Sequence, residues 1–140
     1  WFKLADRFGD HGLVGVMLAE KNRNCWTIDT WLMSCRVLGR TMEDFMFAAL
    51  LSAARAEGAR TVFGRYIPTE KNAPVKDLFI RLGFDACAED PQQYVLDIQK
   101  PSSAKTIFIH PAPVIHPAPV ILSVAKDLAP SYGDASLRSA

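Results

Sequence analysis

The sequence predicts an α+β domain with a mixed sheet. Three observations carry this. Runs rich in apolar, aromatic and β-branched residues at 13–19, 25–33 and 60–67 have strand character. Two stretches with helical signals, 41–57 and 72–82, follow the first strands. Only short polar turns separate the early strands, whereas the later ones alternate with helices. The resulting order is β, β, β, α, β, α, β, β, an antiparallel meander followed by a β-α-β crossover.

Each element has its own reason. Residues 2–6 alternate, with Phe2 and Leu4 on one face. Phe8-Gly-Asp-His-Gly12 carries turn chemistry. Leu13–Ala19 is a short apolar run, suited to a central strand. Glu20–Asn24 reads as a polar hairpin loop, and Cys25–Met33 as the strand that follows. Thr41 is placed to cap a helix reaching about Glu57, with Phe45, Ala48, Ala49, Ala53 and Ala56 as its apolar stripe and Gly58 as C-cap. Arg60–Ile67 is a strand. Asn72 opens a second helix through Leu82, with Pro74 in its first turn and Gly83 closing it. Residues 84–88 and Tyr94–Ile98 are the last two strands.

Composition narrows the function classes. With 140 residues, 49% hydrophobic and 22% charged, the chain has the makeup of one ordinary globular domain. No run of about 18 uncharged apolar residues occurs, which excludes a membrane-spanning helix. A net charge of +1 supplies no field for nucleic acid. Cys25, Cys35 and Cys87 are odd in number and widely spaced, without a CxxC pair. A zinc knuckle or disulfide framework is therefore not expected, and a reducing, cytoplasmic setting is. The chain starts at Trp1 without a leader and reads as a piece of a longer protein.

Six of the nine prolines lie from Pro101 onward, and His110-Pro-Ala-Pro-Val-Ile115 repeats at once as residues 116–121. Alternate prolines remove backbone donors, so neither a helix nor a central strand forms there. The expected division is a domain over 1–99 and a Pro-rich, disordered, low-complexity tail over 100–140. His110 and His116 offer two metal-ligand side chains, but the plainer reading is an appendage without function. No metal site is assigned.

Function is most legible between the third strand and the first helix, in Cys35-Arg-Val-Leu-Gly-Arg-Thr41. A strand feeding a tight turn and a helix directs free backbone N–H groups and the helix dipole at one point. Gly39 permits close backbone approach, and Arg36 and Arg40 add cations, a combination suited to phosphate or pyrophosphate. A plain capped helix with two solvated arginines fits the same segment.

A second segment, Asn72-Ala73 with Phe79-Ile-Arg-Leu-Gly-Phe84, lies one strand later. Together the two resemble the cofactor elements of the GNAT superfamily of N-acetyltransferases. Arg36-x-x-Gly39-x-Thr41 is similar to its pyrophosphate loop, and Asn72 through Gly83-Phe84 to its second cofactor helix. The strand order is similar from that fold's second strand onward. The resemblance thus implies a GNAT-like, mostly antiparallel mixed sheet with flanking helices, lacking the N-terminal strand and first helices.

A closer resemblance spans residues 1–98. Asp6-Arg-Phe-Gly-Asp-His-Gly-Leu-Val-Gly15, Met33-Ser-Cys-Arg-Val-Leu-Gly-Arg40 and Tyr66-Ile-Pro-Thr-Glu-Lys-Asn72 resemble the C-terminal region of FkbH-like proteins. Those act in polyketide and related secondary metabolism and carry an upstream haloacid-dehalogenase-type domain of subfamily IIIC, which is then an expected neighbour.

The resemblance implies an acyltransferase-like domain that binds acyl-CoA or the phosphopantetheine thioester of an acyl carrier protein, its expected partner. Arg36, Val37, Leu38, Gly39, Arg40 and Thr41 would hold phosphates. The backbone at Leu32, Met33 and Ser34 would polarise the thioester carbonyl, and Asn72 would bond the pantetheine or the nearby backbone. Phe79 stands where many members carry a tyrosine that protonates the leaving thiolate, and phenylalanine has no proton to give. His11, Asp29 and Tyr66 are the candidate acid–base residues, with Asp10 and Glu70 behind them. Cys35 could be a lowered-pKa thiol or core filler; Trp26 and Trp31 read as core. A non-catalytic docking module and a non-functional gene fragment are the competing readings.

Overall fold

A computed structural model of the chain describes residues 1–100, with 109 and 111. β1 (Phe2–Asp6), β2 (Gly9–Asn22) and β3 (Cys25–Met33) form an antiparallel meander. The helix α1 (Met42–Ala56) crosses over to β4 (Thr61–Arg65), which lies parallel to β3. A 3-10 turn at Ala73–Val75 and the short α2 (Leu78–Arg81) lead to β5 (Asp85–Ala86) and β6 (Gln93–Asp97). One six-stranded sheet results, ordered β1-β2-β3-β4-β6-β5, and only β3 and β4 run parallel. The expected α+β class and element order are the ones observed.

The differences are local. The turn expected over residues 8–12 closes within Arg7 and Phe8, and β2 already pairs at Gly9. The carboxylates of Asp6 and Asp10 accept the N–H groups of Phe8 and Gly12 at 2.8 and 2.7 Å. These side chains tie the hairpin locally, as Asp does in turns. Likewise Glu20, Lys21 and Asn22 belong to the ladder, leaving a two-residue turn with Arg23 at φ 46°.

The helix α1 buries a different stripe from the one its alanines suggest. Met42, Met46, Phe47, Leu50, Leu51 and Ala54 face the sheet; Phe45, Ala48, Ala49 and Ala53 flank it, and Ala56 is exposed. A buried Leu, Met or Phe removes far more apolar area from water than Ala, so the large residues win the inner face. Gly58, at φ 77°, closes the helix in the left-handed conformation that favours glycine, with Ala59 N–H reaching the Ala54 carbonyl at 2.9 Å. Thr41 itself sits at φ 64° and its side chain does not cap α1.

The second helix is broken rather than continuous over 72–82. Asn72 makes no side-chain cap, and a regular helix holds only from Leu78 to Arg81. Pro74 lies within the 3-10 turn, and Lys76 and Asp77 form a turn before α2 begins.

A single core cluster lies between α1 and the sheet and includes Trp26, Phe47, Met46, Val62, Leu82 and Ile98. Arg55 donates to the carbonyl of Ile98 at 2.9 Å and ties the end of the last strand to α1. Ile109 is half-buried and packs against this core. The Pro-rich repeat lies outside the described residues apart from Pro111, as does most of the expected tail. Among the described residues no helix is long and apolar enough to cross a membrane.

Candidate functional site

The parallel strands β3 and β4 pair only at Cys25–Thr61, Trp26–Val62 and Thr27–Phe63, and then part. The cause lies in the register of β3 against β2. Leu18 stands opposite Thr30 and Ala19 opposite Ile28, so Asp29 is one residue too many. Such a bulge bends and twists its strand. It sits two residues past the last β3–β4 pair and opens a notch between the strands.

The notch presents backbone donors. Ser34 N–H donates to the Val14 carbonyl at 2.8 Å, making that pair a hydrogen-bonded one. Bonded and non-bonded pairs alternate along an antiparallel ladder. Met33, opposite Gly15, and Trp31, opposite Met17, therefore turn their N–H groups away from β2 and toward the notch. Of the three residues expected to polarise a carbonyl, Met33 turns its N–H toward the notch. The Ser34 amide is already spent on β2. Leu32 N–H faces β2, although its side chain lines the cavity.

The cavity measures about 430 Å³ and is mainly apolar, with Trp31, Leu38, Pro74, Leu78 and Phe79 in its wall and Asp29, Arg65 and Lys71 among its polar groups. Trp31 packs against the core, as expected, and stacks on Phe47 at 6.3 Å; it also lines the notch, and its buried indole N–H has no hydrogen-bond partner. Phe79 is 6% exposed; its ring stacks on Tyr94 at 5.1 Å and meets Phe84 edge-on at 5.0 Å. It lies over Gly64, where a Cβ would come within 2.2 Å of the ring. Phe79 is thus a core residue whose surface forms part of the wall.

The loop before α1 departs from the phosphate-holding arrangement. Cys35–Val37 is a 3-10 turn, with Val37 buried in the core and Cys35 and Leu38 on the notch. Arg36 is turned back, its Nε donating to Ser34 Oγ at 3.2 Å and a terminal nitrogen to the His11 carbonyl at 3.5 Å. Arg40 is exposed. Gly39, at φ 72°, gives its N–H to Glu43 Oε1 at 2.6 Å. The loop N–H at Gly39 is thus taken by the chain's own Glu43, from the first turn of α1.

Asn72 bonds backbone, the second of the two roles expected for it. Its Oδ1 accepts from the Thr69 N–H at 2.8 Å and from the Tyr66 hydroxyl at 3.0 Å, while its Nδ2 donates to the Ile67 carbonyl at 2.8 Å. Tyr66 lies on the notch, but its proton is engaged by Asn72. Asp29 is exposed on the notch and accepts from Thr30 Oγ1 at 2.8 Å. His11 stands apart at the β1–β2 hairpin, 2.9 Å from Asp6 Oδ2. Its hydrogen bond, with that of the Phe8 N–H, holds the Asp6 carboxyl below its ordinary value of 3.8. Asp29 and Tyr66 are thus brought together and His11 is not. Among the described residues no three His, Cys, Asp or Glu side chains gather into a metal-binding group.

The sequence reading missed Glu43, Lys71 and the bulge. Asp29 itself was the available signal for the bulge, since Asp is a poor strand former inside a β-branched run.

A solved structure with this architecture is described as an acetyltransferase of the GNAT family from Desulfovibrio desulfuricans. It is 17% identical over 64% of this chain, with a TM-score of 0.53. The aligned part spans 64% of that protein's length. Ard1 from Thermoplasma volcanium is 18% identical over 60% of this chain and 61% of its own, at a TM-score of 0.49; the fold assignment rests on the first likeness. At the level of sequence, no family model and no curated protein matches. The chain has the fold of the GNAT acetyltransferases.

Proposed function

We propose that this domain binds an acyl thioester through its pantetheine arm, laid in the notch between β3 and β4. The observation that carries the reading is the parting of the two strands after three pairs, which leaves the Met33 and Trp31 amides facing an apolar cavity. A pantetheine arm carries two amides on a slender chain. It can complete the interrupted sheet by hydrogen bonding to an open strand edge, as extended peptides do. The Met33 N–H is the donor for the thioester carbonyl, and the Trp31 backbone N–H is a second donor for the arm. Attack by an acceptor on a carbonyl so polarised is acyl transfer, with proximity supplying much of the rate.

The motifs at residues 6–15, 33–40 and 66–72 support a narrower form of this reading. In it the domain belongs to an FkbH-like protein of polyketide-type metabolism, working beside a haloacid-dehalogenase-type domain and a carrier protein. An open reading frame upstream of Trp1 that encodes such a domain would support it, and an unrelated frame would remove it.

Trp31 provides the test of binding. Titrating an acyl-pantetheine thioester should change the tryptophan fluorescence saturably, and Trp31→Phe should remove that change. No saturable response in wild type would retire the notch as a thioester site.

A non-catalytic docking role is the second reading, favoured by the engaged Tyr66 proton, by Phe79 and by the distance of His11 from the notch. Single-turnover assays with added amine or alcohol acceptors separate the two. Saturable binding with no turnover above background would select docking.

A further inference from the structure

We infer that the start of α1 rejects a diphosphate, so that the thioester arm taken by the notch carries at most one phosphate. The inference rests on the notch being a thioester site. Glu43, in the first turn of α1, is 3% exposed. One carboxylate oxygen accepts the Gly39 N–H at 2.6 Å; the other is buried with no hydrogen-bond partner. A helix N-terminus attracts anions through its free N–H groups and partial positive charge. Here a carboxylate belonging to the chain already sits in that field.

The surroundings reinforce this. A cleft of about 550 Å³ between the 38–41 loop, the start of α1 and the 74–81 segment is lined by Glu43, Asp44 and Asp77, with Arg81 as its one basic residue. Arg81 holds both oxygens of Asp44, at 3.0 and 3.1 Å. Arg36 is bonded to Ser34 and to the His11 carbonyl. Arg40 is the exposed cation left on the loop. A diphosphate in this cleft would bring its charges up to the carboxylates of Glu43, Asp44 and Asp77, and like charges repel. A single phosphodiester, as on a carrier-protein arm, can stay at the rim near Arg40. A coenzyme A thioester brings a diphosphate and a further phosphate.

Calorimetry with non-hydrolysable thioether analogues of acyl-CoA and acyl-pantetheine, on wild type and Glu43→Gln, tests the inference. The amide keeps the acceptor for Gly39 and loses the charge. Wild type should bind the pantetheine analogue at least as tightly as the coenzyme A analogue. Glu43→Gln should tighten the coenzyme A analogue about tenfold and leave the pantetheine analogue within about twofold. Asp77→Asn, at an exposed position, should move affinity the same way by a smaller factor and stands in if Glu43→Gln does not fold. Wild-type preference for the coenzyme A analogue by about tenfold would overturn the inference and leave the notch reading standing. So would an unchanged coenzyme A affinity in folded Glu43→Gln. Failure of both analogues to bind wild type would remove the notch reading itself.

Discussion

Asp6 shows how a single residue ties sequence to a measurable quantity. Its carboxyl is held below the ordinary range first by the His11 ring and then by the Phe8 N–H. A lowered folded-state value means that Asp6 contributes stability above the ordinary carboxylate value of 3.8, and that this contribution is lost as pH falls through the lowered value. His11→Ala should move the Asp6 titration part of the way back up, because the Phe8 hydrogen bond stays. A carboxyl-carbon NMR titration reads this directly. An unmoved Asp6 would mean that the His11 contact at 2.9 Å does not form in solution. The pair belongs to the β1–β2 hairpin and stands apart from the notch between β3 and β4.

At the scale of elements, the notch depends on what β4 leaves out. Gly64 has no side chain, and the Phe79 ring takes that space. A Cβ at Gly64 would lie 2.2 and 2.5 Å from two ring atoms of Phe79. Tyr94 and Phe84 press on the ring, so making room for a Cβ disturbs an aromatic cluster of the core. Gly64→Ala should therefore cost about 1–3 kcal/mol, the usual range for an overpacked core. Gly15→Ala is the control: its Cβ would meet the Sδ and Cε of Met46 at 2.7 and 2.8 Å, the far end of a flexible side chain. That substitution should cost less, because thioethers adapt to irregular space. Thermal unfolding of the two variants checks the order, and a larger loss at Gly15 would contradict the packing described.

Across the whole molecule, the boundary between domain and tail turns on Ile109. It packs against the core although it lies nine residues beyond Lys100 in the chain. A chain ending at residue 111 should keep the thermal midpoint of the full chain within about 2 °C. A chain ending at residue 100 should lose a few degrees, since half-burying an isoleucine contributes on the order of 1 kcal/mol. Equal midpoints for the two truncations would place the boundary at residue 100 and make the Ile109 contact incidental.

What the sequence determined by itself was local and periodic. Strand runs, helix starts and glycine stops are written within a few residues of where they act, so the element order could be read directly, with β3 at its observed bounds. The Arg36–Thr41 loop could be located but not interpreted. Whether Arg36 reaches a ligand or folds back on Ser34 depends on the β1–β2 hairpin, some 25 residues away in the chain. Asn72 could be marked as important, but its partners are fixed by how the 66–72 loop closes. The bulge at Asp29 exists only in the register of one strand against another, and the notch only in the parting of β3 from β4. Glu43 stands in the first turn of α1, where acidic residues are ordinary, and only packing buries it. Tertiary structure decided these points because each is a relation between segments distant in the chain, settled by the burial of one shared core.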